Sequence, residues 1–311
     1  MQKIIWAIDP FEEKGEVHSH VLSMLQDLSS RGALIEPVYV LSPDEYDMNV
    51  AFNAPWLKKL RPTVDEVLAH YLKDVKVAGL GKPQVVIEKR PSFTRSIKAL
   101  TAYAKQRKAD SILVGTHSKQ GASRLLLGSF AETLLLYSKV PVLVVGPRSE
   151  ISRPDSRIEH ILFSTDFGLS SYSIFKKVLA LAKGLSSNRH VKITLFHCLP
   201  HAVEPFFQSG VFLLGGGVIS FPDFVTQDEE KKRRLALRYM AAAEKLGIEL
   251  EIEFNPGRGG AAQAIVDRAR SGKADLIAMA SQTSAVPAAL IGSVTRQVIR
   301  SAPCPVWVLH V

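Results

Sequence analysis

The sequence predicts an α/β protein made of two doubly wound, five-stranded parallel sheets, and three observations carry that expectation. Apolar runs and amphipathic stretches alternate in the order βαβαβαβαβ, and then do so again. The strand-like runs are apolar at successive positions, the mark of strands covered on both faces. Two passages nearly repeat each other: VGTHSKQGASRLLLGSFAETLLLYSKVPVLVV over 114–145 and MASQTSAVPAALIGSVTRQVIRSAPCPVWVL over 279–309. At 311 residues the chain is long enough for two ordinary domains, which the repeat places at 1–148 and 158–311.

The first strand, 4–9 (IIWAID), is a short apolar run stopped by an aspartate, and 161–166 (ILFSTD) matches it. Helical stripes follow: Val17, Val21, Met24, Leu25 and Leu28, closed by Gly32, and then Ile174, Val178, Leu181 and Leu185. Second strands are read at 34–41 and 191–199, the former weakened by Pro37. Capping boxes, Thr63 with Glu66 and Thr226 with Glu229, place the starts of the second helices, because hydroxyl and carboxylate there satisfy each other's exposed backbone N–H groups. Gly247 closes the later one. Third strands follow at 84–88 and 250–254, then third helices through Ile97, Leu100 and Ala104 or through Ala264, Ile265 and Ala269. After fourth strands at 110–114 and 275–279, a polar loop leads to Gly-Ser, a fourth helix and a fifth strand at 142–145 or 306–309.

A formal charge of +9, spread over both halves, favours anionic partners without forming a basic arm. The run KKRR at 231–234 sits in a helix behind Asp228, Glu229 and Glu230, so it reads as a solvated face. No strand interleaves basic and aromatic residues as an RNA-binding surface would, and no specific nucleic-acid partner is expected. Cys198 and Cys304 lie in apolar runs without metal-like spacing, and His117 and His197 have no spaced partners, so no metal site is expected. Residues 205–222 carry no charge, but three consecutive glycines and a proline at each end make the segment too short and broken to span a bilayer. A loop or short helix is expected there, covering either the ligand cleft of the second half or a partner chain. The opening MQKIIWAIDP lacks the long apolar stretch of a signal peptide, which points to a reducing cytoplasm. No Walker-type Gly-Lys-Ser/Thr, nucleophile elbow or His–carboxylate set stands out, so no catalytic residue is named.

The motifs ILFSTDF at 161–167, GTHSKQGASRLLLGS at 115–129 and IGSVTRQVIRSAPCPVWVL at 291–309 resemble the universal stress protein family, and the resemblance covers nearly the whole chain as two domains in tandem. It implies an adenine nucleotide alpha hydrolase-like fold. For members with the complete signature (Gly, two residues, Gly, nine residues, Gly, then Ser or Thr) it implies ATP binding, with the strand-one aspartate on the adenine side and the loop around the phosphates. Glycines let successive backbone N–H groups converge on phosphate oxygens, and Gly-Ser opens a helix whose positive end faces the same anion. Neither half completes the signature. The first has Gly115, Ser118 where the second glycine belongs, then Gly128 and Ser129, followed by Phe130 and Ala131. The second has Ala280 and Thr283 for the two glycines, Pro287 in a loop one residue shorter, and an intact Gly292-Ser293-Val294-Thr295.

The resemblance therefore implies a ligand-sensing stress-response module with a degenerate site for ATP or a related adenine nucleotide. Its candidate residues are Asp9, Val40, Val114, Gly115, Ser118, Gly128, Ser129 and Phe130; the less favoured second set is Asp166, Cys198, Gly292, Ser293, Val294 and Thr295. The first half keeps the thirteen-residue step from Gly115 to Gly128, whereas the second takes twelve from Ala280 to Gly292, and Pro287 there removes a donor. Ser118 reaches a left-handed turn at a cost of about 1 kcal/mol or more, which weakens binding without forbidding it. Asp9 and Asp166 read either as adenine contacts or as caps of the turns that follow. Lys119 and Arg124, along the first loop, read either as phosphate-neutralising or as solvated. The alternative function is a nucleotide-hydrolysing or nucleotide-transferring enzyme of the same broad superfamily. Similar single-domain members pair through their last strands, so the two domains, joined near 148–157, are expected to pack as a pseudo-dimer within the chain. A homodimer of the whole chain stays open, and no membrane span is expected.

Overall fold

The computed structural model describes residues 2–12, 14–43, 54–90, 92–116, 128–149, 157–168, 170–186, 190–199, 211–214, 217–255, 260–281 and 292–310. In chain order the elements are β1 (Lys3–Ala7), α1 (Glu16–Ser29), β2 (Leu34–Leu41), α2 (Ala54–Leu72), β3 (Gln84–Ile87), α3 (Phe93–Gln106), β4 (Ser111–Gly115), α4 (Ser129–Tyr137) and β5 (Val142–Val145). The second half gives β6 (His160–Ser164), α5 (Ser171–Leu185), β7 (Lys192–Cys198), β8 (Val211–Leu214), β9 (Gly217–Ser220), α6 (Phe221–Glu244), β10 (Glu249–Asn255), α7 (Ala261–Ser271), β11 (Leu276–Ser281), α8 (Ser293–Ser301) and β12 (Val306–His310). These group into two compact units, Met1–Arg157 with Ser281–Val311, and Ile158–Ala280.

In the first unit the strands lie in the order β12-β5-β4-β1-β2-β3. The five strands of the first repeat are mutually parallel, while β12 runs antiparallel to β5 with Val306 opposite Val144, Trp307 opposite Leu143 and Val308 opposite Val142. The β1 residues Ile4, Ile5 and Trp6 are all buried, as apolar runs covered on both faces must be. The stripe Val17, Val21, Met24, Leu25 and Leu28 buries one face of α1, and Ile97, Leu100 and Ala104 do the same for α3. Gly79, at φ +69, lets the chain run beside Ala33, whose carbonyl oxygen would stand 2.8 Å from any added Cβ.

In the second unit the order is β10-β7-β6-β11, all parallel, with β8 and β9 forming a separate antiparallel pair. Ile174, Val178, Leu181 and Leu185 are buried on α5 as their spacing predicts. The repeat extends to backbone detail. Lys108 and Lys273, at φ 53 and 50, follow α3 and α7 at equivalent positions, and Asp110 and Asp275 accept N–H bonds from the starts of β1 and β6.

Two local readings need correction. Both capping boxes fall inside helices, because α2 begins at Ala54 and α6 at Phe221. Pro62 suggests a break, since proline removes an i→i−4 bond, but the buried Val64 and Leu68 carry the amphipathic stripe onward beyond it. In α6 Glu229 reaches forward to Arg233 (2.6 Å) as a side-chain pair within the helix. The uncharged segment at 205–222 contains the antiparallel pair β8–β9 and the first residues of α6, where a loop or short helix is expected from the sequence; residues 205–210, 215 and 216 lie outside the described residues. Among the described residues no helix is long and apolar enough to cross a membrane.

Candidate functional site

Ligands of open parallel sheets meet the crevice outside the carboxyl ends of the strands, where strand order reverses. In the first unit that point lies between β1 and β4, because the chain passes from β1 to β2 and β3 on one side and places β4 and β5 on the other. Ile8 continues the line of β1, its N–H donating to the Val38 carbonyl at 3.0 Å. The register of Ala7 with Val38 and of Trp6 with Leu113 then sets Asp9 level with Val40 on one flank and Thr116 on the other. Val114 and Gly115 end β4, and Thr116 is pinned by its N–H (2.9 Å) and hydroxyl (3.3 Å) to the Val145 carbonyl. Asp9, Val40, Val114 and Gly115 thus share one sheet edge.

Asp9 Oδ1 accepts the Phe11 N–H at 2.9 Å, closing a turn over the end of β1. Phe11, largely exposed, sets its ring edge-on to Tyr39 at 5.9 Å. Beneath them Tyr71 of α2 lies 3.0 Å from His18 Nδ1, and Lys14 Nζ donates to the Tyr71 carbonyl at 2.9 Å. Burial, then the charges of Glu12 and Asp9, push the Tyr71 phenol up to about 12, so it keeps its proton.

Gly128 precedes α4 with φ −55 and ψ 138, and Gly292 precedes α8 with φ −52 and ψ 138. Any residue adopts these angles, and among the described residues an added Cβ at Gly292 would meet only Thr295 Oγ1, at an ordinary 3.8 Å. Each glycine stands at the first N–H groups of a helix, which have no partner within it. That arrangement fits a phosphate, which the N–H groups and the helix dipole would both favour. Phe130 packs edge-on against Phe93 of α3 at 6.2 Å, a contact between helices. Ser118 lies outside the described residues, as do Lys119, Arg124, Thr283 and Pro287.

In the second half, Asp166 Oδ1 accepts both the Gly168 N–H (2.8 Å) and the Ser171 hydroxyl (2.7 Å), closing the turn that leads to α5. Cys198 ends β7, half-buried, and burial followed by the Glu253 charge pushes its thiol up to about 11, which makes it a poor nucleophile. Gly292, Ser293, Val294 and Thr295 fall in the first unit and Asp166 and Cys198 in the second, so this set is divided between units.

One residue set aside in the sequence for want of spaced metal-binding partners stands in an aromatic pocket. His197, beside Cys198, is 3% exposed; its Nδ1–H donates to the Thr165 carbonyl at 2.7 Å, and among the described residues its Nε2 has no hydrogen-bond partner. Phe167 and Phe254 meet its ring edge-on at 5.2 and 5.7 Å and stack on each other at 5.9 Å. Burial pulls its pKa below the ordinary histidine value and keeps it neutral. An aromatic residue precedes the chosen strand-two position in both repeats, Tyr39 before Val40 and His197 before Cys198, and that recurrence was the available signal. Among the described residues no group of three or more His, Cys, Asp and Glu side chains could hold a metal ion.

A doubly wound α/β sheet that occurs twice, each time with a Gly-Ser helix entry after its fourth strand, defines the class of protein. The universal stress protein family model matches residues 1–146 and 157–310, and the chain belongs to that family. A universal stress protein of Methanocaldococcus jannaschii is 46% identical over 52 residues, a match that spans 16% of this chain and 31% of that relative. Among solved structures, a universal stress protein from Archaeoglobus fulgidus is similar with TM-score 0.64 and 17% identity, covering 99% of this chain and 96% of that one. A putative universal stress protein from Pseudomonas aeruginosa is similar with TM-score 0.57 and 13% identity, covering 99% and 93%. At these identities the structural likeness establishes the fold.

Proposed function

We propose that this chain is a stress-response binding module that holds an adenine nucleotide, ATP or a close relative, weakly, and in the first repeat rather than the second. The observation that carries the reading is the convergence of Asp9, Val40 and Gly115 at the switch point between β1 and β4, in the repeat whose loop keeps the thirteen-residue step to Gly128 and Ser129. Family membership supports the ligand class, and the helix start at Gly128 suits its phosphates. In the second repeat Pro287 takes a donor from the shorter loop. The two domains, 1–148 and 158–311, act as a pseudo-dimer in one chain through β5 and β12, in a reducing cytoplasm where Cys198 and Cys304 stay thiols.

Titration of a fluorescent ATP analogue against wild type, Gly128→Val and Gly292→Val tests this. A branched side chain at Gly128 displaces one or more charge-assisted N–H bonds to phosphate, each worth about 1.5–3 kcal/mol, so affinity falls at least about tenfold. Gly292→Val stays within about twofold of wild type. Equal loss from both variants, or loss only from Gly292→Val, would assign the site to the wrong repeat. Steady phosphate release in the same samples, abolished by Asp9→Ala, would replace the binding module by the enzyme alternative.

A further inference from the structure

The antiparallel pairing of β5 with β12 brings together residues that occupy the same place in the two repeats. Aligning Gly128-Ser129 with Gly292-Ser293 makes Glu132 equivalent to Arg296, Leu143 to Trp307, and Val142 and Val144 to Val306 and Val308. The strand register sets Leu143 opposite Trp307, with Val142 opposite Val308 and Val144 opposite Val306. A local two-fold therefore passes through the Leu143–Trp307 pair. Where like surfaces meet across a two-fold, each residue on the axis faces its own equivalent.

At this seam the equivalents have diverged into complements. Arg296 Nε, shut off from water, lies 2.7 Å from Glu132 Oε1, close enough for an ion pair although off the line of its N–H. Glu132 suits the first turn of α4, where the helix dipole favours an anion; Arg296 stands at the same turn of α8, where the dipole disfavours a cation. Local helix preference thus does not explain Arg296, and Glu132 does. Trp307 is buried and its Nε1–H donates to Ser111 Oγ at 3.0 Å. The second-repeat equivalent of Ser111 is Leu276, by the parallel registers of Ile4 with Ser111 and of Ile161 with Leu276, and it has no side-chain oxygen. The backbone also approaches closely here, for a Cβ on Gly146 would come within 3.2 Å of the Ile299 carbonyl oxygen.

Three features are satisfied together only when a first repeat meets a second. Pairing two first repeats would set Glu132 against Glu132. Pairing two second repeats would set Arg296 against Arg296 and Trp307 against Trp307, with each indole N–H turned towards a leucine. We infer that the β5–β12 seam is a heterotypic recognition surface whose partner is the complementary repeat, second for first, and that its charges and indole disfavour pairing between like repeats of separate copies. The inference rests on β5 pairing with β12 inside one chain. Attraction and exclusion come from the same few side chains, as partner choice between similar surfaces requires.

The test uses the full chain and a charge-swap cycle: Glu132→Arg, Arg296→Glu and the two together, read by thermal unfolding and by mass from light scattering. Each single reversal sets like charges against each other and lowers the melting temperature by about 2–4 °C, and the double swap recovers most of that loss. A double swap as unstable as the two losses added would overturn the inference. Ser111→Ala with Trp307→Phe forms an independent cycle in which the loss from Ser111→Ala disappears once the indole is gone; an unchanged loss would again count against it. The pairing itself is tested by Val142→Cys with Val308→Cys, directly opposed in an antiparallel pair and within disulfide reach. A cross-link inside one chain keeps the pairing even if the charge cycle fails, whereas a cross-linked dimer overturns pairing and inference together.

Discussion

Replacing Glu36 by glutamine tests the buried polar node of the first unit. Glu36 sits within β2, its side chain 9% exposed, and receives Lys3 Nζ at 2.9 Å, Arg107 Nη2 at 3.2 Å and the Tyr103 hydroxyl. Breaking a buried ion pair costs about 3–5 kcal/mol when the remaining charge cannot reach water. Lys3 is about a quarter exposed and can reach it, and a glutamine carbonyl still accepts from Tyr103, so the expected cost is about 2–3 kcal/mol. That corresponds to a melting temperature lower by roughly 4–12 °C. Burial alone would raise the Glu36 carboxyl, but the bonds from Tyr103, Lys3 and Arg107 outweigh it and hold the folded-state pKa below the ordinary 4.5. The native state therefore binds this proton less readily than the unfolded chain does. The stabilisation is complete above about pH 4.5 and is lost as pH falls through the lower folded value. Urea unfolding followed by circular dichroism between pH 3.5 and 8 should give a steady gap between wild type and Glu36→Gln above pH 5, narrowing below it. A gap under about 0.5 kcal/mol at pH 7, or one that widens in acid, would refute the reasoning.

Two further predictions concern the scaffold. Gly79→Ala places a Cβ 2.8 Å from the Ala33 carbonyl at a φ of +69, and should cost about 2–3 kcal/mol in chemical denaturation, more than the usual penalty for a left-handed alanine alone. His160 donates from Nδ1 to the Gly272 carbonyl (3.0 Å) and accepts from Thr194 at Nε2 (2.8 Å), and burial holds it below its ordinary 6.5. Its neutral form is the native one, so stability falls as pH drops through about 6.5 and the loss levels off below the folded value; His160→Gln should flatten part of that slope in melting temperatures measured from pH 7.5 to 5.

Strands were legible because a run covered on both faces, such as Ile4, Ile5 and Trp6, has few alternatives, and α1, α3 and α5 were legible from their buried stripes. Helix starts were less so. Thr63 with Glu66 and Thr226 with Glu229 have the side chains of a capping box, yet in α2 and α6 the backbone was already helical before them. The antiparallel pair of β8 and β9 was hidden because its apolar run lacks both a helical and an alternating period. Asp9, Val40 and Gly115 could be placed on one sheet edge, beside the switch point of β1 and β4, from strand ends alone. The box of Phe167, His197 and Phe254 could not, because it depends on neighbouring registers and on a phenylalanine at φ 57. Opposite signs at 132 and 296 are visible once the repeats are aligned. That they touch follows only from the antiparallel meeting of two strands far apart in the chain.

The grouping of Ser281–Val311 with the first unit has a consequence for synthesis. That unit is begun first and finished last: β5 leaves the ribosome early, and its neighbour β12 lies 161 residues further on, counting from Val145 to Val306. At about 5–20 residues per second, the valine-rich border of β5 waits roughly 8–30 s for its cover. Joining both halves in one message then has a kinetic effect. The covering strand arrives on the same ribosome, in equal number and at a local concentration independent of expression level, so closure competes with aggregation as a first-order process rather than as a search among molecules.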